Sequence, residues 1–567
     1  MEIPIYGTPK KELASSIKSN SFNAVVGLDG EAPTDEDLAM LRRVADKLPI
    51  GGFLVAVMEM TERFAYYGLS APFQNYMQND LNDPLLPGAL GLGQSTATSL
   101  QYFWNFWCYC SPLIGAVVAD QYMGRYNTIM LFAMIYAIGL LVLVTTSIPP
   151  SIVGGHAYGG FIASILIIGL GSGGIKSNVS PLIAEQYRSR GPFVRVLKSG
   201  ERVIVDPDVT IQRIYMMFYW CINFGSLSGI ATVYLEKYIA FWAAYLLPFC
   251  MFFVGIFTLI VGRKYYVITP PQGSVILQAF KAWWIALTSG GKLDMAKPSV
   301  QQALPGGPKH KITWDEGFVD ELRRALVACK VFLFYPIFWV CYGQMSSNFI
   351  SMAGDMNTHG VPNDVIYNTG ALTIIIFIPI MDKGVYPLFR RLKIRFRPIT
   401  RMTFGFFFAA ASMAYAAILQ KKIYETGPCY DHPRGCLDGH TPNDVHVAIQ
   451  TPVYALMGIA EILASVTGLE YAYTKAPASM KSFIMALYLL TNAGGSALGI
   501  AVSPTAKHPK LVWAYTGFAV TTVITGSLFW LCFRSLNAKE EEMNAKGREM
   551  QNTTVRKLDE SAEEEKV

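Results

Sequence analysis

The sequence predicts an all-α membrane protein with twelve crossings in two bundles, an expectation carried by composition, by the spacing of apolar stretches and by the placement of basic residues. Of 567 residues, 52% are hydrophobic and 16% charged, with 30 Tyr, 33 Phe and 49 Gly, whereas a soluble domain carries roughly 25% charged residues. The mean hydropathy is +0.31.

At about 20 apolar residues per crossing, twelve helices are expected near 52–78, 98–120, 127–148, 159–183, 212–233, 241–262, 328–352, 366–388, 400–420, 447–472, 482–503 and 512–534. With the N-terminus inside, the inward loops hold about 23 Lys and Arg against about 6 outside, the asymmetry of the positive-inside rule. Both termini are therefore expected in the cytosol. The densest inward cluster is Arg390, Arg391, Lys393, Arg395, Arg397 and Arg401, while 79–97 and 353–365 hold no Lys or Arg. The net charge of +6 then reflects topology and contact with a lipid bilayer rather than nucleic acid.

The division expected is a cytosolic tail at 1–50, a six-helix bundle at 51–262, a cytosolic connector at 263–327, a second six-helix bundle at 328–535 and a tail at 536–567. Two equal bundles around an inward connector are the layout of alternating-access carriers. The connector holds two short amphipathic candidates, 279–287 with Trp283 and Trp284, and 315–327 with Arg323 and Arg324. The first 50 residues carry Asp35, Glu36 and Asp37 and lack the basic-then-apolar order of a cleaved signal, so the first crossing is expected to act as the insertion signal. The C-terminal tail, with Glu540, Glu541 and Glu542, reads as a solvated extension.

Seven of nine cysteines lie in apolar segments, as small buried hydrophobes. Cys429 and Cys436 share the long outward loop 421–446, where a bridge and two thiols both remain open. His432 and His440 lack zinc-like spacing.

The first crossing carries Glu59, Glu62 and Arg63. At about 100° per residue they share one helical face, and charges at bilayer depth point into a wet cavity that serves an ion or proton path. In Gly169-Leu-Gly171-Ser-Gly173-Gly174-Ile-Lys176 a formal GxGxxG occurs without a preceding strand, and Ile175 breaks the phosphate-loop pattern. Small residues there permit close helix approach while Lys176 reaches the cavity. Asn223 serves either helix packing or the site. Glu461 follows the apolar run 456–460 in the second bundle, so an ionised state needs a cation or a proton. Pro112, Pro336 and Pro379 are expected kinks, and Asp120 with Arg125 a structural charge pair.

These segments resemble the proton-coupled oligopeptide transporter family (POT/PTR) of the major facilitator superfamily, especially its fungal di/tripeptide permeases. The resemblance rests on Glu59-x-x-Glu62-Arg63-Phe64-x-Tyr66-Tyr67-Gly68, Gly115-Ala116 through Asp120, Gly124-Arg125-Tyr126-x-Thr128-Ile129, Gly171 to Lys176, Phe218-Tyr219-x-x-Ile222-Asn223-x-Gly225-Ser226-Leu227, and Glu461 to Tyr473 with Ala476-Pro477. It spans roughly 50–535 and includes the fungal-looking segment 197–206. It implies a major facilitator fold and proton-coupled import of di- and tripeptides by alternating access.

It also implies roles. Arg63 and Lys176 would receive the peptide carboxylate, Glu461 with Asn223 the amino terminus, and Tyr66, Tyr67 and Tyr109 the backbone or pocket wall. Trp339 matches the family's seventh-helix aromatic, and Tyr488 stands where many members have Trp. Glu59, Glu62, Lys176 and Glu461 would carry proton coupling. No cofactor is implied beyond the proton, and the carrier is expected to work as a monomer in the plasma membrane, with a vacuolar site open.

Two departures matter. Ser70 and Gly343 replace an arginine and an acid that form an outer gate pair in several bacterial members, so outer closure is expected to rely on apolar packing or other polar contacts. Tyr102 replaces the second-helix histidine of animal members. An enzyme is not expected, because no HExxH, GxSxG or similar grouping occurs. Charges of both signs at midplane in two bundles argue against a channel. The alternative kept is a carrier of the same family moved to nitrate or a modified peptide.

Overall fold

A computed structural model describes residues 33–34, 37, 40–187, 191–197, 200–271, 273–303, 312–392, 396–436, 439, 441–475 and 477–536. Asp35, Glu36, Lys198, Ser199, Lys393, Arg395, His440, Ala476 and the tail from 537 onward, with Glu540 to Glu542, lie outside the described residues.

Ten helices among the described residues are long and apolar enough to cross a membrane. They are Arg125–Thr146, Ala157–Glu185, Pro207–Tyr238, Phe241–Tyr265, Glu316–Gly354, Val365–Phe389, Pro398–Glu425, Val447–Ala472, Lys481–Thr505 and Leu511–Leu536. Two further long helices precede them. Ile50–Ser70 carries Glu59, Glu62 and Arg63, and Gly93–Val118 is rich in Gln, Ser, Thr, Asn, Trp and Tyr. Polar content lowers their hydropathy, as expected of segments facing a wet interior. Counted in chain order, these are crossings one to twelve, and the chain is an integral membrane protein.

Several crossings are broken where the sequence suggested single rods. The first stops at Ser70 and resumes as Phe73–Gln78, because Pro72 lacks an N–H and its ring opposes the preceding turn. The seventh runs from the 3-10 segment Cys329–Phe334 through Tyr335–Gly343 to Asn348–Gly354, with Pro336 in the first turn of its middle piece. Pro112 and Pro379 lie inside helices. In the tenth, Thr451–Glu461 passes into a π-turn at Ile462–Val466 before Thr467–Lys475. Single-turn π segments often occur at functional sites.

Besides a small cluster of Met381, Ile462 and Leu463, buried apolar residues among those described fall into two large clusters. One runs from Val55 to Tyr266 around Phe73, Trp104, Tyr136 and Phe252. The other runs from Ala279 to Phe529 around Tyr335, Phe338, Phe406 and Tyr454. The connector joins the second cluster: helices Val275–Thr288 and Glu316–Ala328 bury Ala279, Ala282, Val319 and Leu322 in it. Their starts are set by Ser274 and Asp315, whose side chains accept from the amides of Leu277 and Phe318.

Glycine sets the spacing of the fourth crossing from the second and third. A Cβ on Gly173 would lie 2.5 Å from the Ser111 carbonyl carbon of the second, and one on Gly174 would strike the Phe132 ring of the third. The Ser111 hydroxyl donates to Gly169 O across this contact at 2.7 Å.

Sequence periodicity did not reveal a small sheet. Arg43–Val44 pairs in parallel with Ile204–Val205, and Phe193–Val196 runs antiparallel to Arg202–Val205. Asp120 and Arg125 do form an ion pair, at 3.9 Å, with Glu185 as a second partner of Arg125. Cys429 and Cys436 are joined in a disulfide.

Candidate functional site: a charged chamber between the bundles

One turn of the first crossing gathers three ionisable side chains out of water. Arg63 Nε lies 3.2 Å from Glu59 Oε1, and Arg63 Nη2 contacts Glu62 Oε2. Glu62 is 0% exposed, and Glu59 and Arg63 are 5% exposed. Removing one partner of such a pair strands a buried charge, which costs about 3–5 kcal/mol. The Ser172 hydroxyl donates to Glu62 Oε1 at 3.0 Å. Ser172 precedes Lys176 by four residues, so the two share one face of the fourth crossing. Glu59 Oε2 is buried with no donor among the described residues.

Lys176 completes the group. Its ammonium stands 3.9 Å from the ring centroid of Tyr109 and 6.0 Å from that of Tyr66, while the Arg63 guanidinium lies 5.2 Å from the Tyr66 centroid. Lys176 is also within electrostatic range of Arg63, Glu62 and Glu59. Two cations and two carboxylates balance. One added proton leaves one positive charge over, which the negative charge of a carboxylate ligand would offset.

The second bundle contributes Glu461, the last residue before the π-turn. It is within electrostatic range of Tyr67 and Tyr109 of the first bundle and of Tyr342, Tyr367 and Tyr488 of the second. Tyr109 is thus a shared neighbour of Lys176 and Glu461. Trp339 forms the adjoining wall, its ring centroid 5.4 Å from Tyr342 and 6.0 Å from Tyr488. The Trp339 indole N–H donates to Thr491 Oγ1 at 3.0 Å, and the Tyr488 hydroxyl contacts that of Ser465.

Asn223 is engaged differently. Its amide donates to Tyr219 O one turn back in its own helix at 2.8 Å. Gly225 explains how this segment comes beside the charges, since a Cβ there would lie 2.8 Å from Met60 O and 2.9 Å from both Arg63 Cβ and Phe64 N.

Tyr342, Tyr367 and Ser172 were missed by sequence reasoning. Tyr342 follows Trp339 by three residues and Ser172 precedes Lys176 by four, so helical spacing could have found both. Tyr367 lies in a short 3-10 turn that carries no such signal.

The bundles also meet at the end bearing 79–97 and 353–365. Tyr102 donates to Val340 O at 2.6 Å and accepts from Gln344 at 2.7 Å, Asn348 donates to Gln344 at 2.7 Å, and Thr98 and Gln94 donate to Asn348 at 2.9 and 3.0 Å. A Cβ on Gly343 would lie 2.4 Å from the Tyr102 ring. The Tyr102 ring therefore fills the space beside Gly343. Polar contacts close this end, among them an ion pair between Arg434 of the second bundle and Asp83 of the first at 3.4 Å.

The chain matches the POT family over residues 126–524. It is 53% identical over 518 residues to peptide transporter PTR_A of Candidozyma auris, covering 91% of this chain and 87% of that one. It is 51% identical over 517 residues to peptide transporter PTR2 of Saccharomyces cerevisiae, covering 91% and 84%. Among solved structures it superposes on the POT family transporter PepTSo with a TM-score of 0.67 at 23% identity, covering 86% of this chain and 99% of that chain. That likeness shows a shared fold. Two bundles with a buried charged cluster in the first, a family match through most of both and relatives alike over nine-tenths of the sequence identify the chain as a member of the POT family of transporters.

Proposed function

We propose that this protein is a proton-coupled symporter that carries di- and tripeptides into the cytosol by alternating access. The observation that carries this reading is the charge arrangement: Arg63 and Lys176 stand with Glu59 and Glu62 in one bundle, and Tyr67 and Tyr109 bring that group up to Glu461 of the other. A small peptide at neutral pH carries opposite charges at its ends, and cations in one wall with an acid in the other match that dipole. The relatives named peptide transporters support this substrate class.

The peptide carboxylate falls to Arg63 and Lys176. Its ammonium falls to Glu461 and to the carbonyl oxygen of Asn223, the acceptor left when the amide is spent on Tyr219. Trp339, Tyr488, Tyr66, Tyr67 and Tyr109 supply walls that accept varied side chains. A nitrate cargo would leave Glu461 facing an anion, which disfavours that alternative.

Coupling follows from linkage. A proton on Glu59 or Glu62 loosens the hold on Arg63, which frees a cation for the peptide carboxylate, so proton and peptide favour each other's binding. A potential of 100 mV adds about 2.3 kcal/mol per charge, roughly a fortyfold accumulation.

The asymmetry of basic residues and the disulfide in loop 421–446 support placing that end outside the cell and both termini in the cytosol. The proposed division is two bundles, 51–262 and 328–535, joined by the connector 263–327. A monomer in the plasma membrane is the form proposed. Proteoliposome uptake of labelled dialanine is the test: accumulation driven by an inward proton gradient and blocked by tripeptides but not nitrate supports the proposal, and gradient-independent uptake or inhibition by nitrate alone defeats it.

A further inference from the structure

Away from the charged chamber, four buried polar side chains meet across the closed seam. Asn75, from the resumed first crossing, and Asn363 exchange amide hydrogen bonds, each 2.9 Å. Asn75 Nδ2 also donates to Glu236 Oε1 at 2.9 Å. Glu236, near the end of the fifth crossing, faces Asp364, just before the eighth, in one small shared pocket, close enough for a proton between them to make a hydrogen bond. Glu236 is 4% exposed and Asp364 1%.

Two ionised carboxylates are acceptors only, so a bond between them requires a proton. Beyond Asn75 on Glu236 Oε1, no side-chain donor among the described residues reaches them, and Glu236 Oε2 and both oxygens of Asp364 are buried; only the backbone amides of Asp364 and Val365 stand beside the Asp364 carboxyl. Leu85, Leu86, Pro87, Val233 and Pro362 form the apolar part of the wall around them, and Asn75, Asn363 and Lys237 the polar part. Lys237 is the cation within electrostatic range of Asp364, but its ammonium donates to Gly360 O at 2.7 Å. The remaining titratable neighbours are Tyr245 of the sixth crossing, within range of both acids, and Tyr454 of the tenth, within range of Asp364. Burial pushes the Asp364 carboxyl up to about 6.

We propose that Glu236 and Asp364 form a second proton-binding site, in which one shared proton latches the two bundles together at this end. With the proton present, a carboxylic acid of one bundle donates to a carboxylate of the other. Without it, two negative charges face each other out of water, and separation into solvent relieves both the repulsion and the desolvation. The closed form thus binds a proton that the open form releases. By linkage, closure is favoured at acid pH and lost as pH rises through the shared site's value.

This proton is taken up and returned on one face, so it adds nothing to the protons moved per peptide. It sets how readily the empty carrier reopens. The site is separate from Glu59 and Glu62, and its test requires no peptide, so it stands or falls independently of the substrate reading.

The experiment is pulsed electron–electron distance measurement on full-length protein in lipid nanodiscs. Spin labels go on cysteines replacing Val153 and Trp513, both exposed, in a background with Cys110, Cys250 and Cys532 changed to Ser. The wild-type background should show a short distance at pH 5 that gives way to a longer one by pH 8. Glu236→Gln and Asp364→Asn, in which an amide donates to the remaining carboxylate without a proton, should each keep the short distance at pH 8. Glu236→Lys, paired directly with Asp364, should do the same, and each variant is first required to elute as a single species by size exclusion. A wild-type distance insensitive to pH, or a pH response unchanged in the folded variants, overturns the proposal.

Discussion

The ammonium of Lys176 stands 3.9 Å from the centre of the Tyr109 ring, so the fourth crossing delivers its cation onto an aromatic face of the second. Such a contact is worth about 2 kcal/mol when desolvated, and it holds a lysine in place without neutralising it. Tyr109→Leu should therefore raise the KM for dialanine by about tenfold or more, whereas Tyr109→Phe keeps the ring and should change it less. Uptake kinetics at matched surface expression provide the measurement, and equal loss in the two variants would remove the cation–ring contact from the account.

Glu62 and Glu59 differ in their surroundings, and that difference sets a second expectation. Glu62 is fully buried against Arg63 and Ser172, whereas Glu59 has an oxygen without a donor. Glu62→Gln should abolish accumulation driven by a proton gradient while retaining peptide exchange between preloaded vesicles, since exchange needs no net proton movement. Arg63→Ala should lose both, because it removes a carboxylate partner and strands two acids at a cost of about 3–5 kcal/mol. Gradient-driven accumulation by Glu62→Gln at the wild-type rate would rule this glutamate out of coupling.

Gly225 supplies a packing test. Adding a methyl group there forces it to 2.8 Å from Met60 O and against Arg63 Cβ and the Phe64 nitrogen, and overpacking of this kind costs about 1–3 kcal/mol. Gly225→Ala should lower the Tm by several degrees and reduce uptake together. Gly159→Ala, with nothing within 4 Å of the new methyl, should leave both unchanged. Thermal unfolding in detergent followed by intrinsic fluorescence checks the pair.

The disulfide makes a prediction about stability and sidedness. Cys429 and Cys436 close a short loop, for which chain entropy gives about 2.5 kcal/mol. Replacing both by Ser should lower the Tm while leaving dialanine uptake near the wild-type rate. In intact cells, an impermeant reductant followed by an impermeant maleimide should label the pair from outside; labelling only after permeabilisation would reverse the proposed orientation.

Much of this architecture was legible from local pattern alone. Twelve apolar stretches, the charges of Glu59, Glu62 and Arg63 on one helical face, and two connector helices, expected at 279–287 and 315–327 and found at Val275–Thr288 and Glu316–Ala328, follow from composition and periodicity. The π-turn after Glu461 was not legible, because Ile462–Val466 reads as ordinary apolar helix and the extra residue per turn is set by neighbouring crossings. Nor was the pairing of Arg43–Val44 with Ile204–Val205, a two-residue match across more than half a bundle. The seam follows the same logic. Glu236 and Asp364 lie in unrelated stretches, and only the folded chain brings them together. With Ser70 and Gly343 uncharged, outer closure by apolar packing or by other polar contacts is what the sequence allows, and the members found, Tyr102, Gln344 and Asn348, depend on packing that spacing does not encode.

The most direct test of the central claim, that opposite bundles hold opposite ends of the peptide, is a binding cycle. Affinities of purified protein for dialanine, its N-acetyl form and its C-terminal amide are measured in the wild type, Lys176→Ala and Glu461→Ala, so that each lost peptide charge is paired with each lost side chain. Amidation should weaken wild-type binding by tenfold or more yet cost little in Lys176→Ala, and acetylation should do the same with respect to Glu461→Ala, a coupling of about 1.4 kcal/mol per pair. Equal penalties for both modified peptides in all three proteins would contradict the account.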